Sequence, residues 1–149
     1  MSVKLPLSVL VVVHTDALDI LLLERAAWPG YWQSVTGALE RADEPLEDAA
    51  RREVREETGI DVARGRLERR NVVNSFEIYA QWRHRYAPGV THNMEQVFSL
   101  ALPQRVPVTI APGEHTAHQW LPWREAAALC FSWSNRDAIL MLGKRAGRR

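Results

Sequence analysis

The sequence predicts an α/β (α+β) protein in which one mixed β-sheet is sandwiched between α-helices. Short apolar runs of strand length recur along the chain, and only three segments carry helix signals. No internal repeat, low-complexity tract or long linker divides the 149 residues. Many strands interleaved with few helices call for a sheet covered on both faces. A chain of this length fits one domain with a sizeable core.

In chain order, residues 7–13 and 20–24 are apolar runs separated by Thr15-Asp16-Ala17, which makes them a strand pair joined by a turn. Pro29-Gly30 marks a loop, and residues 32–36 form a further short strand before Gly37. A helix is expected over residues 45–58. Asp43 and Glu44 precede Pro45, which suits a first helical position. Gly59 suits the left-handed conformation that closes many helices. Strands are expected near residues 70–74, 76–84, 96–102 and 117–121. Residues 123–129 and 135–144 read as helices, the second capped by Ser134. The domain is expected to span residues 1–142, with residues 143–149 as a frayed basic tail.

Composition narrows the function. Charged residues make up 25% of the chain and apolar residues 46%, the range of soluble globular proteins. The formal charge of +1 conceals a split, because Lys144, Arg145, Arg148 and Arg149 sit in the last seven residues. Without those four, 15 basic residues face 18 acidic ones, a body of −3. Such a body lacks the basic face of a phosphate-backbone binder, so no nucleic-acid partner is expected. Cys130 is the only cysteine, which excludes an intrachain disulfide and any Cys/His metal cluster, and suits a reducing, cytoplasmic location. The run at 7–13 is too short for a bilayer, which takes ~20 residues, so no membrane partner is expected. A serine-nucleophile elbow, a zinc helix of the His-Glu-x-x-His kind and a P-loop are all absent from the sequence.

The informative segment is Arg52-Glu53-Val54-Arg55-Glu56-Glu57. At 100° per residue, Glu53, Glu56 and Glu57 fall within about 100° of one another on a helix surface. Leu46, Ala49 and Ala50 precede them on the same side, and the alanines leave room beside the acids. Acids near a helix C-terminus face the negative end of the dipole, at a cost of ~0.3–1 kcal/mol each. Like charges at i,i+3 and i,i+4 add ~0.2–0.5 kcal/mol per pair. A divalent cation reverses that balance, and Mg²⁺ takes one or two carboxylates together with waters and phosphate oxygens. Read alone, the same acids could be a solvated face offset by Arg51, Arg52 and Arg55.

The surrounding pattern decides between these readings. Gly37, Glu44, Arg52, Glu53, Val54, Glu56, Glu57, Gly59 and Ile60 resemble the box of the Nudix hydrolases: a glycine, five residues, Glu, seven residues, then Arg-Glu-apolar-x-Glu-Glu-x-Gly-apolar. From Glu44 onward the match is complete. Six residues instead of five separate Gly37 from Glu44, an insertion in the loop before the helix. Taking Asp43 as the first acid would move the insertion into the helix. The resemblance implies the Nudix fold and a phosphoanhydride hydrolase using Mg²⁺, with Mn²⁺ as a substitute. It implies Glu53 and Glu57 as metal ligands, Glu56 as a further ligand or water-bridged partner, Arg52 as the residue that orients the carboxylates, and Glu44 as support for the helix start.

Outside the box, residues 32–37, 83–90, 100–103 and 133–136, with Lys4-Leu5-Pro6, look like the bacterial Nudix subfamily of dihydroneopterin triphosphate diphosphatases. That likeness implies a pyrophosphohydrolase that converts 7,8-dihydroneopterin 3′-triphosphate to the monophosphate in folate biosynthesis, with side activity on nucleoside triphosphates. Its partner is then a small-molecule triphosphate. Lys4, Arg25, Thr36, Phe76, Glu77, Ile78, Tyr79 and Ser132 would line the substrate site, and Glu114 would be a late metal ligand or general base. Each has a plainer reading: Lys4 as a solvated lysine near a terminus, Arg25 as a surface charge, Phe76 and Ile78 as packing, Ser132 as a residue before a helix, Glu114 as a loop acid. Arg83, His84 and Arg85 flank Tyr86 in a segment fit for phosphate or pterin, or equally for a solvent face. His14, His92, His115 and His118 have no metal-site spacing, and the six tryptophans are expected in core and edge packing. In the mechanism implied, a cation held by Glu53 and Glu57 activates water, and Glu56 or Glu114 takes the proton. The rivals are a nucleotide-pool Nudix enzyme and a non-catalytic Nudix-like binding module.

Overall fold

In the computed structural model, which describes residues 3–146, the first apolar run becomes the central strand β1 (Leu7–Thr15). Residues 8–15 are all buried, as a strand covered on both faces must be. Val9, Val11 and Val13 face one side, and Leu10 and Val12 the other. β2 (Asp19–Arg25) repeats this division, with Leu21 and Leu23 against Ile20 and Leu22. Each such side chain contributes about 1.5–3 kcal/mol on burial. The turn between the two strands places Leu18 at φ 64°, a left-handed conformation uncommon for leucine.

The expected strand at 32–36 is divided in two. β3 (Trp32–Gln33) pairs with β2, whereas β4 (Val35–Ala38) crosses to pair antiparallel with β1 at Ser8–Val11. Ser34 lies at the change of partner. There its N–H donates to Asn135 Oδ1 at 2.8 Å, and Asn135 Nδ2 donates to its hydroxyl at 2.9 Å. Since β1 and β2 are in register only at His14↔Ile20, the sheet opens at this point.

α1 (Leu46–Thr58) covers one face, its start one residue later than expected because Pro45 keeps an extended ψ of 136°. Gly59 closes it at φ 74°, its N–H bonded to Arg55 O, as expected. Two strands expected at 70–74 and 76–84 are instead one, β5 (Arg66–Glu77), with a register irregularity between Arg69 and Val73. Residues 80–85 form a 3-10 helix, not a strand: the Trp82 N–H donates to Tyr79 O, and Arg83 Nε donates to Ile78 O at 2.9 Å. The alternation of Arg83, His84 and Arg85 resembles a strand only in sequence.

β6 (His92–Leu102) starts four residues before its expected position and runs parallel to β1, with β5 outside it. β7 (His115–Pro122) pairs with β2. The mixed seven-stranded sheet thus has the order β3-β2-β1-β6-β5, with β4 on β1 and β7 on β2. α2 (Trp123–Leu129) and α3 (Trp133–Ala146) cover the face opposite α1, which is the sandwich the sequence predicts. Ser132, not Ser134, caps α3: its Oγ accepts from Asn135 N–H at 3.4 Å, and its carbonyl from Arg136 N–H at 3.0 Å. The helix passes residue 142, the expected end of the domain, and Gly143 is buried where any side chain would meet the Trp123 ring. Residues 143–146 of the expected tail thus continue α3, and residues 147–149 lie outside the described part.

Candidate active site

Arg52 organises the helix end. Its Nε and Nη2 donate to the two oxygens of Glu44 at 3.1 and 3.0 Å, a bidentate pair. Its Nη1 donates to Glu53 Oε1 at 2.6 Å, and its Nη2 also reaches Ala38 O at 3.2 Å. Glu44 in turn accepts from the Glu40 N–H at 2.8 Å. Arg52 holds the Glu44 carboxyl below its usual range, so this buried acid stays ionised. Asp43, the alternative first acid, is exposed and paired with Arg41. The inserted residue is absorbed in a turn closed by Glu44 N–H to Arg41 O at 3.1 Å, and the helical acids keep their register.

Gly37 explains its place in the box by proximity, since its φ is not positive. A Cβ there would overlap all three carboxylate atoms of Glu53. Its missing side chain is the space Glu53 occupies. Glu57 lies next to Glu53 and is 2% exposed. Burial pushes its carboxyl well above the usual range, and the hydrogen bond and charge of Glu53 push it further. Glu57 Oε1 has no hydrogen-bond partner, and the His115 Nε2 stands 3.7 Å from it.

Two adjoining buried carboxylates with an orphaned oxygen are a donor set suited to a hard divalent cation, which removes their repulsion and takes its remaining ligands from water and phosphate. The other expected ligands stand apart. Glu56 is exposed, 3.6 Å from Arg52 Nη1, and Glu114 occupies an exposed loop before β7. Among the described residues, no three His, Cys, Asp or Glu side chains gather about one point.

Glu53, Glu57 and Glu114 border a cavity of about 680 Å³ that enters the opening of the sheet. Lys4, Arg25, Thr36, Phe76, Ile78, Tyr79 and Ser132, all expected at a substrate site, line it too. Glu77 does not, because strand alternation turns it away from Phe76 and into an ion pair with Arg83. Arg52 and Glu56 are also outside the lining.

Charge in the cavity is divided. Near the carboxylates stand Lys4, Arg25 and Arg85. Burial, followed by Arg85 and Arg25, lowers Lys4 to about 8, and burial lowers Arg25 as well. Three crowded cations are what a polyanion would relieve. The N-terminal segment is fastened to the 3-10 helix by Lys4 N–H to Arg85 O at 2.8 Å. Trp28, Tyr79, Trp82 and Phe131 also line the cavity and form one aromatic group, with Trp82 5.9 Å from both Trp28 and Phe131 and 5.3 Å from Tyr79. Arg25 lies 4.6 Å from the Trp82 ring centre. Thus two tryptophans expected in core or edge packing line the cavity instead. Sequence reasoning also passed over Asn93 and Glu95, which no motif marks, and noted Asn135 only within the segment 133–136. His84, Arg85 and Tyr86, which also line the cavity, belonged to a segment noted for its chemistry.

The comparisons with known proteins agree with this geometry. The NUDIX domain sequence model matches residues 4–142. The chain is 48% identical over 141 residues to the dihydroneopterin triphosphate diphosphatase of Escherichia coli K12, covering 91% of each. It is 36% identical over 136 residues to the Haemophilus influenzae protein of the same name, covering 89% of this chain and 84% of that one. It superposes on the solved structure of the E. coli dihydroneopterin triphosphate pyrophosphohydrolase with a TM-score of 0.87 and 45% identity, covering 93% of this chain and 95% of that one. With its box folded around Arg52 and its sheet in the same arrangement, the chain belongs to the Nudix family of hydrolases.

Proposed function

We propose that this Nudix hydrolase is a Mg²⁺-dependent pyrophosphohydrolase of 7,8-dihydroneopterin 3′-triphosphate, serving folate biosynthesis in the cytoplasm. The observation that carries the substrate is one cavity lined by a carboxylate pair, a cationic group and an aromatic group, the last two joined where Arg25 lies over the Trp82 ring. A flat bicyclic ring on a short chain ending in a triphosphate has those two ends. The names of the E. coli and H. influenzae relatives support the same choice. Among the described residues no helix is long and apolar enough to cross a membrane, and the buried Cys130 suits a reducing compartment.

When bound, Mg²⁺, for which Mn²⁺ can substitute, supplies neutralising charge for the phosphate oxygens and acidifies water. Glu53 and Glu57 would hold it, with Glu56 or Glu114 as an additional ligand. Arg52 holds Glu53 in place while its own charge is spent on Glu44, a fixed arrangement that needs no reorganisation during reaction. Lys4, Arg25 and Arg85 hold the triphosphate, and Thr36, Phe76, Ile78, Tyr79 and Ser132 shape the space for the rest of the substrate. Glu114, from its loop at the rim, or Glu56 accepts the proton of the attacking water. Attack at the α-phosphorus breaks its anhydride bond, releases pyrophosphate and leaves the monophosphate. Glu57→Gln tests this: turnover should fall by roughly 10²-fold or more while the circular dichroism spectrum and melting temperature hold. Wild-type turnover in that variant would exclude the assignment.

A further inference from the structure

Beyond the carboxylates of α1, the cavity contains a second polar group, on β6. Asn93 and Glu95 are 4% and 5% exposed, and both line the cavity. They are two residues apart on one strand, so they point to the same face, with Phe76 and Asn74 opposite them on β5. Their surroundings satisfy half of each. Asn93 Nδ2 donates to Ser8 Oγ at 2.7 Å, leaving its Oδ1 without a partner. Ser134 and Asn74 favour the charged form of Glu95, whose Oε1 has no hydrogen-bond partner. No cation from Lys, Arg or His pairs with Glu95 among the described residues.

Two buried acceptors without donors, in a row along one wall, are costly unless something entering the cavity supplies N–H groups. A phosphate cannot, because it brings only acceptors. We infer that Glu95 Oε1 and Asn93 Oδ1 form the ring-recognition subsite, accepting hydrogen bonds from the 2-amino group and adjoining ring N–H of a 2-amino-4-oxopyrimidine edge. This rests on the pterin reading and deepens it, because the dihydropterin ring carries that edge. Guanine carries it too; adenine, cytosine and uracil do not. A site built for an N–H group rejects a ligand lacking it far more strongly than an apolar pocket rejects a missing methyl, since its own buried acceptors are then left unpaired.

Equilibrium binding of phosphate-free 7,8-dihydroneopterin to the metal-free protein, read by the fluorescence of Trp28 and Trp82, isolates this subsite from the phosphate end. Wild type should bind it roughly tenfold or more tighter than its 2-desamino analogue, and guanosine tighter than inosine by a similar factor. Glu95→Ala and, separately, Asn93→Ala should abolish both preferences. The ligand-side comparison on wild type keeps the test valid if one variant misfolds. Equal binding of the amino and desamino ligands by wild type overturns the inference, even if dihydroneopterin triphosphate proves to be the substrate. Amino-group preference dependent on Glu95, in an enzyme that hydrolyses GTP faster than dihydroneopterin triphosphate, upholds the subsite and overturns the substrate instead.

Discussion

Gly37→Ala separates catalysis from stability. The added Cβ would overlap the Glu53 carboxylate, whereas carbon atoms keep ~3.5 Å apart. Glu53 must therefore retreat by roughly 1 Å or more. Because the obstructing atoms are the end of a flexible side chain and Gly37 has no positive φ, the fold has an inexpensive response: Glu53 rotates and loosens its 2.6 Å bond to Arg52. We expect a stability loss of about 1 kcal/mol, or ~2–4 °C in Tm for a domain of this size. The chemistry should suffer more, since a misplacement of ~1 Å at a reacting centre costs about 10²-fold. Steady-state pyrophosphate release and calorimetry measure the two effects on one preparation. In a Glu53→Ala background the same glycine substitution should cost little further activity, because its victim is already gone. Near-wild-type turnover in Gly37→Ala would refute the close-approach explanation of the box glycine. So would an activity loss fully accounted for by unfolding.

The buried Lys4 should give opposite pH signatures in stability and in substrate binding. Its folded-state pKa, about 8, lies below its ordinary 10.5, so between those values the unfolded chain binds more protons and stability rises with pH. Below pH 8 the charged lysine costs the fold up to about 3 kcal/mol. Lys4→Met should therefore be more stable than wild type at pH 7, with the difference vanishing by about pH 10.5; a constant difference across that window would contradict the shift. KM for the triphosphate should rise in wild type above about pH 8 as the cation is lost, a trend the Met variant should lack. Asn135→Ala leaves the buried Ser34 N–H unpaired, which should cost about 1–3 kcal/mol. Denaturant unfolding measures it, and an unchanged midpoint would show that the β3–β4 junction does not depend on this side chain.

The elements most legible in the sequence were those governed by local rules. β1 declared itself by its apolar run, and α1 by Gly59 at its end and the spacing of its acids. The division of residues 32–38 between two partners was not legible, because Ser34 is held by Asn135, 101 positions away. Residues 80–85 misled for a related reason: Arg83 is turned back onto Ile78 and Glu77, and local alternation carries no sign of that. At the site, the box marked Arg52, Glu53 and Glu57 because a helix fixes their relative positions. It could not mark Trp28, Trp82, Asn93 or Glu95, which meet only when β6, the 3-10 helix and the loop after β2 converge. Glu77 was carried in with its neighbours as a continuous stretch, although strand alternation alone turns it out of the cavity.

The most direct test of the central claim is the Mg²⁺-supported kcat/KM for 7,8-dihydroneopterin 3′-triphosphate, measured beside those for the common nucleoside triphosphates in ¹⁸O-water. A preference of roughly tenfold or more for the pterin is expected, with pyrophosphate as the leaving product and the label in the monophosphate. Equal or better turnover of the nucleotides would contradict it, as would orthophosphate release or label in pyrophosphate.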